Sequence, residues 1–129
     1  MEKEALQALM KKEGNSETFT YKGFDCKIKR NQSLSFLCGY VRLPEGHKFY
    51  KQHYNDIDVD VHGSLTYSQQ ENDQWVVGFD CGHCFDLCPF EIMVNDDSPY
   101  GFMQSGVSSG TYRTMEYVES EIKKLVDQL

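Results

Sequence analysis

Apolar positions recur at helical spacing near both ends of the chain and alternate at strand spacing between them. From Glu2 to Glu13, good helix formers put Leu6, Leu9 and Met10 on one side, and Gly14-Asn15 supplies a stop, which predicts a short amphipathic helix. Strands are predicted over Thr18 to Tyr21, Phe24 to Lys29 and Leu34 to Val41, with Lys22-Gly23 and Arg30-Asn31-Gln32-Ser33 as turns. After a longer connection from Pro44 to Asn55, Ile57-Asp58-Val59-Asp60-Val61 alternates apolar with acidic and reads as a strand with one wet face that continues towards Tyr67. The polar segment Ser68 to Gln74 then turns the chain back into Trp75-Val76-Val77-Gly78-Phe79. Near the carboxyl end Met115, Val118, Ile122, Leu125 and Leu129 return to helical spacing, with Thr111 or Thr114 available as a cap. The expected fold is α+β: an antiparallel sheet, a meander of about five strands, with an N-terminal and a C-terminal helix. No repeat or linker gives a second domain a place to begin, so one domain over residues 1–129 is expected. The apolar stripe of the second helix suits packing on its own sheet better than a dimer seam, so a monomer is expected.

A chain of 129 residues with 40% hydrophobic and 26% charged residues can bury a core without metal or disulfides. No apolar run approaches the roughly 20 residues that span a bilayer, and Met1-Glu2-Lys3-Glu4-Ala5 lacks the pattern of a secretory signal. The expectation is a cytoplasmic protein with no membrane partner. Five cysteines make an odd set, which in a reducing compartment points to core residues or ligands and to no structural disulfide. The net charge of −7 is unevenly spread: from Gln52 to Tyr112 there is no Lys or Arg, yet ten acids. A field of one sign attracts cations and basic protein surfaces and repels phosphate backbones, so a protein partner is expected and direct nucleic-acid binding is disfavoured.

The densest group of metal-capable side chains is Asp80, Cys81, His83, Cys84, Asp86 and Cys88, at a predicted strand end. Thiolate, imidazole and carboxylate all suit zinc, but no second pair of ligands at matching spacing makes a zinc finger. Folding the 57–67 and 75–81 segments about a turn near residue 71 brings His62 opposite Asp80. Extending the pairing across the 44–55 connection adds Cys38, so that Cys38, His62 and Asp80 form a row across three strands, ending beside His83. Cys26 and Cys38 otherwise read as small apolar side chains, Cys84 and Cys88 could simply pack beneath the loop, and His53 has no assigned role. From Gly82 to Gly110 no period holds for long, and a connection of that length is expected to be functional.

The segments Cys38-Gly39-Tyr40-Val41, Gly46-His47, Val61-His62-Gly63-Ser64-Leu65-Thr66-Tyr67, Gly78-Phe79-Asp80-Cys81-Gly82-His83 with Asp86, and Glu116-Tyr117-Val118-Glu119-Ser120-Glu121 resemble a family of small phage and prophage proteins. The resemblance covers the chain from about Leu37 onward and departs at Lys48, Ser64, Cys84 and Cys88. It implies His47, His62, Asp80, His83 and Asp86 as a polar signature. With the 44–55 connection folded back, His47, His62, Asp80 and His83 would give a four-coordinate zinc site with Asp86 supporting an imidazole; without that, Asp86 or Cys38 completes the shell. The chain also looks similar to zinc-containing phage anti-CRISPR proteins that block the RNA-guided nuclease of type II systems, a likeness without a motif of its own. The functional expectation is an inhibitor, not an enzyme, whose acidic surface docks on a host CRISPR effector nuclease and hinders DNA loading. A metal-dependent hydrolase is the alternative, although H-E-x-x-H and a phosphate-cradling glycine loop are both missing.

Overall fold

The structure, a computed structural model, describes residues 3–89 and 110–129. Helix α1 spans Lys3–Glu13, with Glu4 in its first turn and Lys11 and Lys12 in its last, each at the end where the helix dipole favours its charge. Gly14, at φ +77°, closes α1 by donating its amide to the Met10 carbonyl. Strands β1 (Ser16–Tyr21) and β2 (Phe24–Arg30) form a hairpin whose two turn residues, Lys22 and Gly23, both have positive φ, as the twist of a two-residue loop demands. Strand β3 runs over Leu37–Pro44, β4 over Tyr67–Glu71, β5 over Gln74–Asp80, and helix α2 over Met115–Asp127. All neighbouring strands are antiparallel, so the chain is α+β with a five-stranded sheet and a helix at each end, as the apolar pattern predicts.

Across the sheet the order is β1-β2-β3-β5-β4. Composition accounts for the inversion of the last two strands. Trp75-Val76-Val77-Gly78-Phe79 is apolar on both faces and takes the interior position, whereas Tyr67-Ser68-Gln69-Gln70-Glu71 is polar and forms the edge. This order corrects the expected row of Cys38, His62 and Asp80. Cys38 pairs directly with Asp80, with no strand between them, and His62 lies off the sheet in a turn.

The segment 57–61 shows the burial alternation of a strand, with Ile57 and Val61 inside and Asp58 and Asp60 outside, but joins no ladder. Its backbone is taken up by side chains of α2 instead. Gln128 Nε2 donates to the Asp60 carbonyl at 2.7 Å while Gln128 Oε1 accepts from the Asp60 amide at 2.7 Å, and Glu121 Oε1 accepts from the His62 amide at 2.9 Å. An extended segment needs partners for its amides, and here a helix provides them.

One face of the sheet is covered by α2, whose Met115, Val118, Ile122, Leu125 and Val126 are buried against β2 and β3. Thr114 caps α2 by accepting from the Tyr117 amide at 3.0 Å. The close approach depends on Gly39: a Cβ there would stand 2.7 Å from the Phe79 ring and 2.9 Å from Ile122. Helix α1 forms a smaller cluster in which Leu6 meets Leu87 and Tyr112. Among the described residues no helix is long and apolar enough to cross a membrane, and all five cysteines are free thiols.

Candidate metal centre

His62 meets His83 and Asp86 from a separate part of the chain, and one ligand atom of each lies within 4.8 Å of the others, so the group could hold a metal ion. His62 is set by the turn that ends the 57–61 segment, where Gly63 and Ser64 both take left-handed backbone at φ +66° and +67°. Gly63 is required for a second reason. A Cβ there would stand 2.1 Å from Cε1 of His83, so the His83 ring rests directly on the Gly63 backbone. His83 and Asp86 share one tight turn, in which the Asp86 amide donates to the His83 carbonyl at 2.8 Å and the His83 amide donates to Asp86 Oδ2 at 3.1 Å.

Asp86 is the hub. Its side chain is fully buried, and its oxygens lie 2.9 and 3.0 Å from His62 Nε2, 2.8 Å from Arg113 Nε and 3.3 Å from His83 Nδ1. Burial pulls its carboxyl upward, but the hydrogen bonds from His62, Arg113 and the His83 amide hold it below the usual carboxylate range. On the far side of the His62 ring, Nδ1 lies 2.7 Å from the Tyr117 hydroxyl. That contact suits a ligand. If Nε2 gives up its proton to face a cation, Nδ1 can carry one and donate to Tyr117, an outer bond that fixes ring and tautomer. The separations of 3.0 and 3.3 Å that Asp86 Oδ2 keeps from His62 Nε2 and His83 Nδ1 are near the edge of about 3.3 Å expected for a tetrahedron with metal–ligand bonds of about 2.0 Å. Asp86 Oδ1 would keep Arg113. Phe85 shields the pair, stacked on His83 at a centroid distance of 5.4 Å and edge-on to His62 at 5.2 Å.

Of the four residues expected to hold metal, His62 and His83 are in the group, Asp80 is beside it, and His47 is elsewhere. Asp80 ends β5 with its carboxylate engaged, Oδ1 accepting from the Gly82 amide and Oδ2 from Thr66, and stands 3.7 Å from His83 Nδ1. It faces the same His83 nitrogen as Asp86, from a greater distance. His47 sits between Phe24 and Phe49, with Nδ1 accepting from the Phe49 amide at 3.1 Å, and burial and the Lys48 charge push its imidazole below its ordinary range. The 44–55 connection does not fold back over the site, because these contacts hold it at the opposite end of β3. Asp86, expected as a support or a reserve ligand, is the central acceptor. Cys38 is buried and, like Cys26, behaves as the small apolar side chain its strand pattern suggests; burial pushes both thiols up to about 11. Among the remaining thiols, Cys81 is buried and pushed upward by burial, Cys88 is buried and Cys84 is exposed; none is in the group. Residues 90–109, most of the 82–110 connection expected to be functional, lie outside the described residues.

Two members of the cluster were not foreseen, Arg113 and Tyr117. Both had a sequence signal. Arg113 is the residue that ends the long stretch without Lys or Arg, and it neutralises Asp86, the deepest carboxylate of that stretch among the described residues. Tyr117 lies four residues further along, placed by the first turn of α2 to face the same site.

Comparison with protein-family models, curated proteins and solved structures finds no match for this chain.

Proposed function

We propose that this is a metal-binding protein in which one divalent cation, zinc by ligand chemistry, ties the 57–66 segment and the 81–89 turn to helix α2, and that the protein works by binding a partner rather than by catalysis. The observation that carries this reading is the convergence of His62, His83 and Asp86 on a volume small enough for one ion. Two imidazoles with one carboxylate are a zinc-type donor set. Closure of the site favours a structural role: Asp86 is fully buried, His62 nearly so, and Phe85 covers the more open His83. The principal clefts among the described residues lie along the uncovered sheet face and beside α1, and His62, His83 and Asp86 line none of them.

The partner we propose is a basic protein surface, with the type II RNA-guided nuclease implied by the sequence resemblance as the first to test. Asp56, Asp58, Asp60 and Asp73 are exposed and support an acidic docking surface, with Asp60 also meeting Lys124 at 3.3 Å. The other described acids of the base-free stretch are engaged within the fold: Asp86 with Arg113, Asp80 with Thr66, and Glu71 with Arg42 and Tyr67. Elemental analysis of the purified chain should find near one zinc per molecule, and His83→Ala should lower both occupancy and thermal stability. Full occupancy in that variant would refute the site. For the partner, inhibition of nuclease cleavage should weaken as salt rises, because contacts between exposed charges are screened; inhibition that ignores salt would remove the acidic surface from the account.

A hydrolase is the second reading, favoured by the count of three protein ligands, which leaves a coordination position for water. Metal-dependent turnover of ester or phosphodiester substrates that is lost in His62→Ala would raise it above the binding role.

A further inference from the structure

The face of the sheet turned away from α2 carries a second feature, independent of the metal centre. Strand pairing places Thr18, Lys27, Tyr40, Gly78 and Tyr67 in one row across all five strands. Because side chains alternate along a strand, this row lies opposite the face of Val41 and Phe79 that α2 covers. The cleft along it is lined by strand residues alone, among them Lys27, Lys29, Tyr40, Arg42, Tyr67 and Glu71. Two further clefts adjoin it and share Lys29, one reaching Asn15 and Gln32, the other Ser33 and Cys38. The result is one trough across the sheet, about 19 Å from β4 to β1 at the usual spacing of strands.

The chemistry of this trough is specific in two ways. Lys27 and Lys29 form no ion pair among the described residues, while Arg42 is braced by Glu71 at 3.5 Å. The cations therefore stand in a group on a chain whose net charge is −7, and the remaining acids of this face, Asp25 and Asp80, occupy the strand ends. Next to the cations, Tyr40 and Tyr67 meet edge to face at 5.4 Å. Gly78 makes room for this arrangement: a Cβ there would stand 2.6 Å from the Tyr40 ring. Tyr67 is fixed in turn by its hydroxyl, which donates to Glu71 at 3.0 Å.

We infer that this open face binds a short single strand of nucleic acid, with bases against Tyr40 and Tyr67 and phosphates on Lys27, Lys29 and Arg42. Charge complementarity selects an anionic occupant, and the rings select among anions. An acidic peptide would engage the cations and leave the tyrosines without a stacking partner, and a duplex keeps its bases out of reach of a flat sheet. Aromatic rings beside a cationic groove are the general means of holding unpaired bases, and an open sheet of similar width can stack two or three of them. The expectation that nucleic acid is repelled belongs to the acid-rich stretch, whose Asp58, Asp60 and Asp86 lie on the side of the sheet that α2 covers.

The test is fluorescence anisotropy of the full chain with a labelled single-stranded oligonucleotide of about ten nucleotides. Binding is expected at low salt, and three phosphate contacts should give log K a slope of about −2 against log salt. Lys27→Glu with Lys29→Glu, at exposed or half-buried positions of β2, should weaken binding at least about tenfold. Tyr67→Ala should cost about tenfold and Tyr67→Phe should retain binding, which separates stacking from fold, with circular dichroism confirming that each variant is folded. Absence of binding at low salt, equal affinity for a duplex or for an acidic peptide of the same length, or wild-type affinity in both the charge-reversed and the Tyr67→Ala proteins would each overturn the inference.

Discussion

Two buried polar clusters stabilise this fold, and they differ in how their hydrogen bonds close. In the first, Arg30 reaches Glu13, the Gly14 and Ser35 carbonyls and the Tyr112 hydroxyl, while Glu13 also accepts from Tyr112 and from the Met115 amide at the start of α2. Every nitrogen of the guanidinium has an acceptor, and the charges of Arg30 and Glu13 cancel. Burial and the neighbouring Glu13 push the Tyr112 phenol upward, so it stays a donor. That cluster is complete and joins the end of α1, the end of β2 and the beginning of α2. In the second, one carboxylate faces two imidazoles and Arg113, and each imidazole can exchange a proton for a cation. Buried polarity alone therefore does not mark a site. What distinguishes the second cluster is ring nitrogens that can release protons towards a cation, with the Tyr117 hydroxyl holding the His62 ring at its other nitrogen.

The contrast can be tested by substitution. Arg30→Ala should produce the largest loss, about 3–5 kcal/mol in chemical denaturation, because it strands a buried Glu13; it should leave the stoichiometry of metal in the remaining folded protein unchanged. Asp86→Asn should cost about 2 kcal/mol through the weakened bonds to Arg113 and His62, and unlike Arg30→Ala it should also abolish stoichiometric zinc. Gly63→Ala displaces the His83 ring and Tyr117→Phe removes the outer bond to His62; each should weaken zinc affinity about tenfold or more in a chelator competition. Metal-independent stability should change little for Tyr117→Phe, which separates positioning from packing. The smallest effect belongs to a pair outside both clusters, Lys22 with Asp127 at 2.6 Å. The hydrogen bond and charge of Lys22 hold the exposed Asp127 carboxyl below its ordinary range, so whatever this pair adds is present at neutral pH and fades as pH falls through that depressed value. Lys22→Ala should leave the denaturation midpoint at neutral pH unchanged within measurement.

Both helices, the β1–β2 hairpin and strands β3 and β5 are legible from local pattern, because each alternation or helical stripe coincides with a buried face. The strand expected over 57–67 failed for an instructive reason. Alternation reports which side chains are buried, not what the backbone bonds to, and here the buried side faces α2, whose Gln128 and Glu121 replace a neighbouring strand. The error in strand order propagated into the site. Placing 57–67 beside β5 put Asp80 at the centre and left Asp86 at the margin, whereas the turn after β5 reverses their roles. His62 and His83 were legible as a pair from the hairpin arithmetic that ended its row beside His83 and from the resemblance, although His62 reaches the site from a turn off the sheet. Arg113 and Tyr117 carried signals that named no partner: 27 residues separate Arg113 from Asp86 and 55 separate Tyr117 from His62, and no local pattern encodes contacts over that distance.

The clasp of Gln128 on Asp60 also sets how the 57–61 segment comes loose. A strand in a ladder detaches cooperatively with its neighbours, but this segment is fastened at separate points to side chains that can each rotate away. Amide protons between those points should therefore exchange with solvent long before the sheet opens, and a cation bound at His62 would slow that exchange from its far end.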